Sequence, residues 1–129
     1  MSADARRSSG DHGAATSLSL ALLTPLFIVL AFAAVQAAMW SHAKTEARVI
    51  ARDTAALVAR SGVAAADARS AASSILEADT SLSNVQVAVD RTAEVVIVTV
   101  RASAPGIIRG TTSDFEVTAA IPVEEITVP

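Results

Sequence analysis

Between Leu18 and Trp40 the chain carries no charged residue. A helix rising about 1.5 Å per residue over that stretch is roughly 35 Å long, enough to cross a bilayer core with some tilt. Its polar members are Ser19, Thr24 and Gln36. A hydroxyl can bond back to its own helix, so Gln36 is the one residue that asks for a partner. Trp40 closes the stretch, where an amphipathic ring prefers the headgroup level. The pattern predicts a transmembrane helix over 18–40. A buried core helix is the first rival, but 129 residues offer little protein to enclose it. A cleaved secretory signal is the second. Ala31-Phe32-Ala33 has the small-x-small pattern such peptidases accept, but the apolar run continues past it.

Inside the span, Pro25 removes a backbone donor about one turn from the start and predicts a bend. Ala33/Ala37 and Ala34/Ala38 form small-xxx-small steps that would let a second helix approach closely, with Gln36 free to bond across that contact. An alanine-rich composition produces such pairs by chance as well. After Trp40 no breaker occurs until Gly62, so the helix is expected to continue into water as a stalk over 41–62, with Gly62 just past its end. Ala47, Ile50, Thr54, Leu57 and Ser61 keep the 3,4 spacing of one face. Lys44, Arg48 and Arg52 repeat on another side. Lys44 and Arg48 lie where anionic headgroups would meet them, and a solvated face is the plainer alternative.

Val63 to Glu77 reads as a second, shorter helix with a shallow stripe of Ala65, Ala68, Ala72, Ile75 and Leu76. The period then drops to 2. Val85, Val87 and Val89 alternate with polar or small residues, as a half-buried strand does. Glu94 to Ala102 is nearly continuous in β-branched residues, suited to a central strand covered on both faces. Pro105-Gly106 and Gly110 mark a loop enclosing the apolar pair Ile107 and Ile108. Phe115, Val117, Ala119 and Ile121 make a third strand, ended by Pro122. The residues after it read as a frayed tail or a fourth edge strand. Such a meander needs a helix on one face, and the second helix and the outer half of the long one are the available covers.

Composition narrows the chemistry. Hydrophobic residues make up 52% but aromatics only 3%, so the core must be built from Ala and Val. Residues 1–17 are polar and read as a disordered tail. There Arg6 and Arg7 cancel against Asp4 and Asp11, so the residues beyond carry the full formal charge of −3. That balance argues against nucleic acid as a partner. No cysteine is present, which rules out disulfides and thiolate chemistry. The two histidines, His12 and His42, belong to no catalytic constellation, and the glycines have no phosphate-loop spacing. An enzyme, a cofactor or a small-molecule substrate is not expected.

The run Gly13-Ala14-Ala15-Thr16-Ser17-Leu18-Ser19-Leu20-Ala21-Leu22-Leu23-Thr24-Pro25-Leu26 resembles the TadE-like family of bacterial tight-adherence (Flp) pilus assembly proteins, which are minor pseudopilins. The family has small residues after Arg-Gly, then a Glu, then apolar residues to a Pro. Here the Glu position falls on Ser19, and His12 stands before Gly13 in place of Arg. The resemblance implies a prepilin-peptidase site between Gly13 and Ala14. Leu18, fifth after Gly13, leaves the usual acid one place out of register and absent. A chain without that acid would stay an anchored membrane component instead of entering a filament.

The expected architecture is α+β: a disordered cytoplasmic tail (1–17), a transmembrane helix (18–40), a helical stalk (41–62) and a small extracytoplasmic domain (63–129). That domain holds a short helix and a three- to four-stranded antiparallel meander, which the resemblance makes pilin-like. Arg6 and Arg7 before the span against Lys44, Arg48 and Arg52 after it would by charge alone keep the C-terminus in the cytoplasm. The resemblance puts it outside, and folded domains translocate largely regardless of charge. The expected partners are the bilayer of the cell membrane and other pilus-assembly membrane proteins or pilin-like subunits. The alternative is a membrane-tethered or secreted binding module unrelated to pili, with a concave apolar pocket on its sheet.

Overall fold

The structure, a computed structural model, describes residues 7–79 and 82–124. Five elements follow in order: α1 (Arg7–Ser61), α2 (Ala65–Asp79), β1 (Ser83–Arg91), β2 (Val95–Pro105) and β3 (Thr112–Pro122). The chain is α+β and divides into two compact units, Met1–Val35 and Gln36–Pro129.

In the first unit the described residues are helical throughout. Where the sequence suggested disorder through residue 17, the backbone is already helical from Arg7, and residues 1–6 of that tail lie outside the described residues. Adding turns to an existing helix needs no new nucleus, and Ala14 and Ala15 are strong helix formers, so Gly10 and Gly13 do not stop it. Pro25 sits inside the helix. It supplies no N–H to the Ala21 carbonyl. One residue earlier, Thr24 Oγ1 donates to the Leu20 carbonyl at 2.7 Å, satisfying the hydroxyl within the helix.

The second unit begins at Gln36 and contains the rest of α1 with the whole sheet. Gly62, at φ +64°, ends α1 in the left-handed conformation that glycine adopts freely. The sheet is an antiparallel meander in the order β1-β2-β3. Its register stacks Val87 beside Val100 and Val100 beside Val117, all on one face. Thr92 closes the β1–β2 turn by donating its N–H to the Val95 carbonyl at 2.9 Å. Asn84 takes φ +53°, where the β1–β2 register slips between Ser83 and Gln86, as in a β-bulge. Val123 donates to the Glu94 carbonyl beyond the end of β3. Residues 125–129, where a fourth strand was one expectation, lie outside the described residues.

One core joins both helices to one face of the sheet. Ala47, Ala51, Ala55 and Val58 of α1, Leu76 of α2, and Val96, Val98 and Val100 of β2 are all 0% exposed. Alanine and valine make up most of this core, so few large side chains are needed to exclude water. Each fully buried valine contributes about 1.5–3 kcal/mol relative to exposure.

The outer half of α1 is one of the covers the meander needs: Ala47, Ala51, Ala55, Val58 and Ala59 belong to the same core. Its buried face is rotated from the one read off the sequence: Ala47 and Thr54 are buried, but Leu57 is 45% exposed and Ser61 is also exposed. Ala51, Ala55 and Val58 take the inward places. Strand β2 is central, but its two faces are covered unequally. Val96, Val98 and Val100 are buried, whereas Val95, Ile97 and Thr99 are half-buried and Arg101 is exposed. In α2, Ala68, Ala72 and Leu76 point inward as expected, while Ile75 is 46% exposed.

Candidate membrane anchor and the loop beside it

The anchor is built from consecutive apolar residues that leave no polar side. Leu26, Phe27, Ile28 and Val29 follow one another at about 100° per residue and so point all round the helix. Their exposures are 52%, 64%, 51% and 63%. Leu18, Leu20, Leu22, Leu30, Phe32 and Val35 are exposed as well. A helix apolar on every side is stable inside a large protein or inside lipid, not in water. Among the described residues this is the one helix long and apolar enough to cross a membrane.

Gly13 and Ala14 lie on the exposed helix before that stretch, and a Cβ added at Gly13 would meet nothing within 4 Å. Ala33, Ala34, Ala37 and Ala38 are exposed. Gln36 is half-buried, and its side chain has a partner within the chain. Its Oε1 accepts the N–H of Ile107 at 2.7 Å, across 71 residues of sequence. The lone polar residue that asked for a partner was the signal in the sequence. Nothing in the sequence pointed to a loop amide as that partner.

One turn after Gln36, Trp40 is half-buried against the domain core. The Lys44 ammonium lies 4.8 Å from the Trp40 ring centroid, a cation–π contact worth about 0.5–1 kcal/mol at an exposed site. The pair combines an apolar ring with a cation reaching toward water, as residues at a headgroup boundary do. Arg48 lies further along. With Arg52 and Arg60 it lines a groove whose other wall is the Thr118–Pro122 edge of β3 and Glu124. No local pattern in the sequence links these arginines to β3.

The open face of the sheet carries a shallow depression lined by Asn84, Gln86, Arg101, Ser103, Asp114 and Glu116, among others. Arg101 pairs with Glu116, and Ser103 Oγ donates to Asp114 Oδ1. The Arg101–Glu116 pair is well exposed and therefore screened, worth about 0–1 kcal/mol. No three residues from His, Cys, Asp and Glu converge as metal ligands among the described residues.

Residues 14–56 match a family model described as TadE-like protein. The matched segment is about a third of the chain and lies wholly within α1. It is the same family that the residues around Pro25 resemble. No curated protein and no solved structure matches the chain.

Proposed function

We propose, taking residues 14–56 as a TadE-like segment, that this chain is a single-pass membrane component of the minor-pseudopilin kind. It acts in assembly of a tight-adherence pilus or a related secretion apparatus, through helix packing in the bilayer and domain contacts outside it. The observation that carries this reading is a coincidence of boundaries. The family match contains the whole uncharged stretch and begins at Ala14, directly after the candidate processing residue Gly13. The chain acts as an assembly part and not as an enzyme. Its partners are the lipid bilayer and other membrane proteins or pilin-like subunits of that apparatus. Its place is the cell membrane, with the residues after the 18–40 span on the extracytoplasmic side.

The rival reading, a binding module, calls for a concave apolar pocket on the sheet. The depression lined by Asn84, Gln86, Arg101, Ser103, Asp114 and Glu116 is shallow, and six of its eight lining residues are polar or charged, which does not favour that reading.

Two experiments test the proposal. Deleting the chain in its native cell should abolish surface pili, and restoring it should bring them back; normal piliation in the deletion strain would contradict it. N-terminal sequencing of the mature protein then separates the modes of anchoring. A start at Ala14 supports pilin-type processing, a start near Ala34 means secretion, and an intact start means a plain anchor.

A further inference from the structure

The loop between β2 and β3 has a fixed shape. Gly106 N–H donates to the Thr111 carbonyl at 2.7 Å, and Thr111 N–H donates to the Ile108 carbonyl at 3.0 Å. Thr111 Oγ1 donates to that same carbonyl at 2.7 Å. Gly110 takes φ +88°, as the third position of a type II turn requires. A Cβ at Gly106 would fall 2.0 Å from Thr111 Oγ1, so the loop closes only because that residue is glycine.

This fixed loop is tied to α1 through the Ile107–Gln36 bond. Gln36 lies inside the uncharged stretch, one turn before its Trp40 boundary. The loop therefore runs beside the last turn of the apolar helix. At its tip Ile108 is 71% exposed, more than any other large hydrophobic among the described residues. Arg109, next to it, is also exposed. In water that isoleucine would gain nothing by its position. At a bilayer surface the apolar tip would enter the acyl boundary, and Arg109 would reach the phosphates. The Gln36 bond suits that depth, because irregular backbone near lipid must have its N–H groups satisfied within the protein.

The geometry points to the β2–β3 loop as a second, interfacial membrane contact: Ile108 inserts into the leaflet on the side of the folded domain, and Arg109 meets its headgroups. The domain is thereby held against the surface with a fixed face toward lipid. This rests on the reading of 18–40 as a membrane span, and the test separates the two.

The chain contains no cysteine, so single spin labels can be placed at Ile108→Cys, Ala93→Cys and Val29→Cys. Ala93 lies in the turn at the opposite end of the sheet, and Val29 is mid-span. The full chain is reconstituted in vesicles of phosphatidylcholine and phosphatidylglycerol, and collision rates with oxygen and with a water-soluble nickel chelate are compared. The expected result is a nickel rate at Ile108→Cys several-fold below that at Ala93→Cys, with a raised oxygen rate. Equal nickel rates at the two sites, with Val29→Cys protected, would overturn the loop contact and leave the span standing. Low rates for both reagents at Ile108→Cys would mean protein cover, which also overturns it. A nickel-accessible Val29→Cys would remove the span and the loop contact together.

Discussion

Gln36 Oε1 accepts the backbone N–H of Ile107 at 2.7 Å, joining the last turns of an apolar helix to a loop 71 residues later. The bond satisfies two polar groups at once, the side chain that the hydrocarbon would penalise and a loop amide beside it. Replacing Gln36 with Leu leaves the Ile107 donor without its partner, at a cost of about 1–3 kcal/mol. The Ile107 amide should then exchange with deuterium markedly faster, while amides of the core strand β2 are little changed. Unchanged exchange at Ile107 would show that the bond is not what protects it.

The loop depends on two glycines for different reasons. Gly106→Ala places a methyl against Thr111, and Gly110→Ala asks an L-residue to hold φ +88°. Each should lower thermal stability in detergent by about 1–3 kcal/mol. Arg109→Ala, at an exposed position between them, should stay within about 0.5 kcal/mol of the parent chain.

The contact between α1 and the sheet runs on small residues. Ala51→Leu or Ala55→Leu would force extra carbons into a layer with no exposure, with an expected loss of about 1–3 kcal/mol. Leu57→Ala, on the outward side at 45% exposure, should cost well under that of a buried leucine, less than about 1 kcal/mol. Denaturant midpoints for the three variants decide whether the alanine face or the leucine face points inward.

That contrast shows what the sequence makes legible. Leu18–Trp40 could be read directly because uncharged length is itself the physical requirement. Gly62 could be read because a left-handed helix end is a local event. The three strands followed from a period of 2 and from Pro-Gly punctuation. The inward face of α1 could not be read the same way. Hydrophobic periodicity weights bulk, so it favoured Leu57, whereas the core took Ala51 and Ala55. The open face of β2 was hidden for a related reason: Val95, Ile97 and Thr99 are β-branched whether or not anything covers them. The Gln36–Ile107 bond was out of reach altogether, since no local pattern encodes a partner so distant in the chain.

The exposed Arg101–Glu116 pair adjoins the polar depression on the open face of the sheet. Glu116→Gln should change stability by less than about 1 kcal/mol, and that difference should shrink as salt is raised. A larger, salt-independent loss in urea titrations at low and high ionic strength would mean the pair is doing structural work its exposure does not allow.

The medium around residues 18–40 is tested most directly by alkaline carbonate extraction of membranes from cells making the full chain. The expected result is that the chain stays in the membrane pellet and is released only by detergent. Release by carbonate alone, as a monodisperse protein stable in buffer, would contradict the span.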